Sequence, residues 1–198
     1  MTTAPVPPQH PIRMVVSDDL ERNRLTVFFR FILVIPHFIW LALWGIAAYF
    51  AVIINWFATL FAGTSPQGLH DFIAQYLRYY TQVYGYFLYL GDPYPGFMGN
   101  TPYAADLEVD PPAPQNRWIT FFRLIIAIPA LIVAGVLGYV LQVIWLISWI
   151  VCTITGRMPL GLRDISAWIL RFTVQTLSLI HISEPTRQPA TSRMPSSA

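Results

Sequence analysis

Residues 23–36 read NRLTVFFRFILVIP, and residues 116–129 read NRWITFFRLIIAIP. Both stretches open on Asn-Arg, share Phe-Phe-Arg and close on Ile-Pro without a gap, which sets a shift of 93 residues between them. The match continues outward from there. Gly45 falls on Gly138, Trp56 on Trp149, and Gly63, Pro66, Gly68, Leu69 and Asp71 fall on Gly156, Pro159, Gly161, Leu162 and Asp164. Leu77-Arg78 falls on Leu170-Arg171, and from Val16 to Arg78 identity holds at 21 of 63 positions. Shared apolar composition alone matches roughly one position in ten, and it does not align Gly, Pro, Asn, Asp and Arg. The chain is two tandem copies of one unit.

Each copy is built around an apolar run. Residues 31–62 and 124–156 contain no Asp, Glu, Lys or Arg, and about 20 apolar residues suffice for a helix to cross a bilayer. Composition agrees, with 55% apolar and 11% charged residues where soluble domains carry about 25% charged. Pro36 and Pro129 sit near the start of each run. A proline inside a helix removes one backbone hydrogen bond and clashes with the preceding turn. Residues 26–35 are therefore expected to form a short interfacial lead-in helix and residues 37–62 the spanning helix, about 39 Å long at 1.5 Å per residue. Trp40, Trp44 and Trp56 suit the aromatic belts found at membrane surfaces.

A turn at residues 63–68 is followed by a helix of different character, expected over residues 69–90. Asp71, Gln75, Arg78 and Gln82 fall on one helical face as a narrow polar stripe, and most of the rest is aromatic or aliphatic. Such a helix suits the headgroup region and suits equally an inserted position with its stripe turned to a partner. Asp92-Pro-Tyr-Pro-Gly-Phe97 ends the unit with strong turn chemistry. Short strands are expected at Ile12–Val16 and at residues 107–109. The fold class is thus an all-α integral membrane protein of two tandem homologous helical units. Each unit has a lead-in helix, a long apolar spanning helix and an amphipathic aromatic-rich helix.

The organisation that follows is a Pro-rich flexible tail at 1–11, a first unit at 12–97, a polar linker at 98–115 and a second unit at 116–177. The string LIHISEPTR at 179–187 resembles translated sequencing adapter. The second unit is therefore expected to be truncated, and residues 178–198 to be a non-native, disordered tail. Tandem copies keep one orientation only if each crosses a membrane an even number of times; with single crossings they become inverted repeats. Matched arginines at both ends of the units would then face opposite sides, against the positive-inside rule. An even count, or a re-entrant hairpin hinged near Gly45 and Gly138, is favoured.

The phrases RFILVIPHFIWLALWGIAA (30–48), WFATLFAGTSPQGLHDF (56–72) and YLGDPYPGF (89–97) resemble an uncharacterised bacterial membrane-protein family, a duplicated domain of unknown function. The resemblance spans about residues 10–176. Its Gly-x-x-Pro-x-Gly-Leu turn is present twice, at 63–69 and 156–162, whereas its Asp-x-Tyr-Pro end is present once, at Asp92. It implies a membrane location and supplies no activity.

Candidate chemistry is sparse. Arg30 and Arg123 precede the two apolar runs, where arginine anchors to lipid phosphate; a specific anionic-lipid site is the sharper reading. Asp71 and Asp164 follow the turn, where a carboxylate caps a helix or meets its dipole. With Arg78 and Arg171 seven residues on, they can also make a polar pair across the units. His37 has Ala130 as its repeat partner, which argues against a duplicated relay or metal role. Cys152 is the only cysteine, which excludes a disulfide within the chain and a multi-cysteine metal site. No nucleophile elbow, Walker loop, His-Glu-x-x-His or carboxylate pair is present. No cofactor, metal or enzymatic activity is expected. The first 23 residues lack the apolar core of a secretory signal, and a net charge of +2 gives no case for nucleic acid.

The expected function is a non-enzymatic scaffold or interaction module in the cell membrane, with the bilayer, other membrane proteins or a second copy as partners. The alternative is a small transporter or channel with a polar path between the repeats, lined by stripes at 71–82 and 164–175.

Overall fold

A computed structural model describes residues 12–181 except 18, 100, 101 and 113. The expected tail at 1–11 and residues 182–198 of that expected at 178–198 lie outside the described residues, whereas residues 178–181, expected to be disordered, are helical. Within the described residues the chain forms five helices and a two-stranded ribbon.

Asn23 caps α1 (Arg24–Leu33), its side chain accepting from the backbone N–H of Leu25 at 3.0 Å and of Thr26 at 3.4 Å. After Val34 the chain re-enters helix as α2 (Ile35–Ala62), with Pro36 in the first turn, where a missing N–H costs nothing. The second copy differs. Asn116 caps a single 39-residue helix, α4 (Arg117–Thr155), which carries Pro129 in its interior. The lead-in helix is thus separate only in the first unit. There Tyr94 donates to the carbonyl of Leu33 at 3.2 Å. The sequence equivalent of Tyr94 in the second copy is Arg187.

Both long helices end alike. Gly63 (φ +78°) and Gly156 (φ +73°) take the left-handed conformation and return their N–H groups to Thr59 O at 2.8 Å and Cys152 O at 2.9 Å, so glycine serves where a Cβ would be strained. The expected hinges at Gly45 and Gly138 do not form, because both lie inside continuous helix. The amphipathic helices follow as α3 (Gln67–Phe87) and α5 (Leu160–His181).

β1 (Ile12–Val16) and β2 (Ala105–Val109) pair antiparallel, with Met14 opposite Leu107. β2 falls within the stretch read as a linker. Its bounds are those of β1 shifted by the repeat length, so the ribbon takes one strand from each copy. Met14 and Leu107 are equivalent residues paired with each other, and an approximate two-fold axis passes between them. Contacts elsewhere obey the same operator. Arg22 N–H donates to Gly156 O at 2.9 Å, and Gln115 N–H to Gly63 O at 2.9 Å. Phe28 lies 6.0 Å from Trp149, and Phe121 lies 6.5 Å from Trp56. Such reciprocal pairs define an isologous interface.

These contacts join the start of each long helix to the end of the other. α1–α2 and α4 therefore run antiparallel. Three layers result: the ribbon, then α3 and α5, then α2 and α4. Ile73, Leu77, Ala167, Leu170 and Val174 form the centre, with Met14, Ala105 and Leu107 against one side and Ala51 against the other. Arg24–Ala62 and Ile125–Thr155 are each long and apolar enough to cross a membrane.

Candidate functional site

The best-organised polar centre lies where α1 meets the end of α3. Arg30, fully buried, donates to Tyr86 O at 2.9 Å, Gly91 O at 3.0 Å and Asp92 Oδ1 at 2.6 Å. Its guanidinium lies 4.3 Å from the Tyr86 ring centroid and 5.0 Å from that of Tyr89, within the range of cation–π attraction. Beside it Arg22 donates to Tyr89 O from Nε at 3.0 Å and from Nη2 at 2.6 Å. A buried guanidinium is tolerated only when paired and hydrogen-bonded, and here it has both kinds of partner. Arg30 is accordingly an internal clamp, not the lipid-phosphate anchor its position before the apolar run implied.

The rest of the Asp-x-Tyr-Pro segment packs on α2. His37 Nδ1 is 2.8 Å from Tyr79 Oη, its ring lies 4.4 Å from Phe97 and 4.5 Å from Tyr94, and Trp40 Nε1 donates to Phe97 O at 2.9 Å. The segment is a strap across α1, α2 and α3.

The equivalent Arg123 is also buried. Its Nη2 donates to Gln115 Oε1 at 2.5 Å and to Thr120 Oγ1 at 3.4 Å. It too is placed inside the protein.

Asp71 and Asp164 do not cap helices. α3 starts at Gln67 with Pro66 ahead of it and α5 starts at Leu160, so both carboxylates come a full turn too late. Asp71 accepts from Gln67 Nε2 at 2.9 Å, and Asp164 from Arg163 Nη2 at 2.7 Å. Neither meets Arg78 or Arg171 among the described contacts. Those arginines reach the ribbon instead. Arg78 forks onto Asp106 at 2.7 and 2.6 Å, and Arg171 donates to Met14 O at 3.2 Å. Each therefore fastens the strand belonging to the other copy. Burial alone would push the Asp106 carboxyl up. The Arg78 fork, the Leu107 N–H and Gln82 outweigh it and hold the carboxyl below the usual aspartate range.

The space between the repeats is apolar. A cavity of about 640 Å³, bounded by Phe38, Tyr84, Phe87, Gly138, Leu141 and Trp145, lies on the α2–α4 side, and the polar stripes face the ribbon layer instead of each other. A Cβ on Gly138 would meet nothing within 4 Å, whereas one on Gly45 would lie 3.1 Å from Tyr76 Oη. The first copy fills with a tyrosine what the second leaves open. A larger open cleft of about 960 Å³ with mixed charge, including Asp19, Glu21, Arg22, Arg24, Asp92 and Arg157, marks the interlock of the copies at one end. Among the described residues no group of three or more His, Cys, Asp or Glu could hold a metal ion.

Sequence reasoning missed Asp92, Asp106 and Arg22 as partners. The one available signal for Asp92 was its place in the chain's strongest turn motif.

The features assembled so far define a duplicated, mostly helical protein with two apolar helices of membrane-crossing length. Residues 24–99 and 117–187 match the family described as Domain of unknown function (DUF4389), and the chain belongs to that family, with one domain in each repeat. No curated protein and no solved structure matches it.

Proposed function

We propose that the chain is a non-enzymatic scaffold embedded in the cell membrane, whose partners are lipids, other membrane proteins or a second copy. One observation carries the reading. Only 6% of the apolar window of the second long helix is buried, leaving Ile125, Ile132, Val136, Val143, Ile147 and Ile154 exposed. Soluble monomers rarely expose a contiguous apolar patch above a few hundred Å², and covering each such side chain is worth about 1.5–3 kcal/mol. Lipid is the environment that supplies this.

The non-enzymatic half of the reading draws support from where the polar groups go. Arg22, Arg30, Arg78, Arg123 and Arg171 all hold backbone or side chains of the same chain. A conduit between the repeats has little support, because the cavity there is lined mostly by aromatic and aliphatic residues. Membrane fractionation of the full chain tests the reading. It is expected to sediment with membranes, resist an alkaline carbonate wash and need detergent for release. Recovery as a monodisperse soluble monomer would overturn it.

A further inference from the structure

Building on that membrane reading, we propose that the protein lies along a single leaflet, with α2 and α4 in the bilayer plane and the β-ribbon in water, so that neither apolar helix crosses.

The two-fold axis decides the geometry. It relates antiparallel α2 and α4, so it is perpendicular to both, and it passes between Met14 and Leu107. The ribbon therefore sits at half the height of the long helices. Side-chain contacts place it there independently. Gly45 near the middle of α2 faces Tyr76, and Trp44 stacks 5.4 Å from Tyr79. The adjoining stretch of α3, from Arg78 to Gly85, meets Asp106 and Ala105 of β2.

Were α2 and α4 upright, the ribbon would stand at the bilayer midplane. It has two strands, hence two edges of unpaired backbone groups, and open sheet edges do not occur in lipid-exposed hydrocarbon. It is also charged. The side chains of Arg13, Glu108 and Asp110 are 46%, 60% and 51% exposed, and ionised groups at that depth are strongly disfavoured. Asp71 and Arg171, both exposed, belong to the same polar side.

The opposite face has the complementary character. Leu43, Ile46, Phe50, Ile54 and Phe57 on α2, and Ile125, Ile132, Val136, Val143, Ile147 and Ile154 on α4, are exposed along the whole length of the helices. Gln142, at the mouth of the apolar cavity, is the polar exception in the middle of α4. An apolar face on one side and charge on the other is the pattern of helices seated in the interface plane. With the axis along the bilayer normal both repeats present the same face. The exposed arginines at both ends (Arg24 and Arg157 at one, Arg117 at the other) then lie on one side of the bilayer.

The test is labelling with a membrane-impermeant maleimide in a Cys152→Ser background, on intact cells and on inside-out vesicles. Single cysteines replace Asp19 at one end of the long helices, Thr64 at the other and Glu108 on the ribbon. All three are expected to label from the same side, with the opposite preparation protected. Asp19→Cys and Thr64→Cys labelling from opposite sides overturns the proposal, as does a Glu108→Cys that stays unlabelled from both. Carbonate-washed pellets from the same cultures separate the two readings. Protein that sediments but labels oppositely sinks only the in-plane geometry, whereas protein absent from the pellet sinks the membrane reading itself.

Discussion

The two repeats share a backbone plan and differ in what locks it. Asn23 and Asn116 start the long helices, and Gly63 and Gly156 end them with matching conformations. The equivalent arginines then diverge: Arg30 meets the Asp92 carboxylate and two aromatic faces, Arg123 an amide and a hydroxyl. A duplicated sequence thus fixes element ends in both halves, while the closing interactions are made separately in each. The first repeat is closed by the strap that follows α3, and the counterpart of that segment in the second lies outside the described residues.

The largest effect expected from this contrast is at the two buried arginines. Asp92→Asn leaves the Arg30 guanidinium buried without its counter-ion and should cost about 3–5 kcal/mol. Arg123→Met removes charge-assisted hydrogen bonds to Gln115 and Thr120, worth about 1.5–3 kcal/mol. Denaturant unfolding in detergent measures both, and equal losses would end the claim that the repeats are locked differently.

A smaller difference is expected where the arginines hold the ribbon. Arg78→Gln breaks a fork onto a partly buried carboxylate and should cost about 2–3 kcal/mol, against about 1 kcal/mol for Arg171→Gln, which loses one carbonyl contact. The same site predicts a pH dependence. The Asp106 pKa is lower in the folded chain than in the unfolded one. Its contribution is therefore complete above the unfolded value of about 3.9 and is lost as pH falls through the folded value. Unfolding midpoints between pH 6 and pH 3 should decline more steeply in the parent than in Asp106→Asn, and parallel curves would remove the assignment.

The smallest effect concerns the central glycines. Gly138→Ala enters open space and should gain about 0.5–1 kcal/mol from helix propensity. Gly45→Ala must displace the Tyr76 hydroxyl 3.1 Å away and should gain less or lose. Thermal melts of the two variants compare them directly, and equal gains would mean that Tyr76 yields freely.

Much of the architecture was legible. The repeat shift, the turn at residues 63–68 and the strand at Ile12–Val16 all follow from local chemistry that one sequence displays. The pairing of Arg30 with Asp92 was not, because the residues lie 62 positions apart and nothing in a single chain links them. Asp106 was hidden in a stretch that reads as linker. Pro36 and Pro129 look alike, yet only the first stands at the start of a separate helix. Asp71 was misread because Gly68 and Leu69 resemble turn residues, although α3 has already begun at Gln67. Orientation was the deepest gap. Identity between copies says that they are alike and leaves open the operator that relates them.

The strand exchange at Met14 and Leu107 also bears on ancestry. One repeat supplies only half of every two-fold contact, so a gene encoding a single unit would yield a homodimer of this geometry. In a homodimer equivalent positions must be identical. Fusion lifts that restriction, and positions 13 and 106, equivalent by the repeat, are now Arg and Asp. Asp106 receives Arg78, while Arg13 faces Glu108 across the ribbon. Within one chain, opposite charges can stand at positions that a symmetric homodimer would have to keep the same.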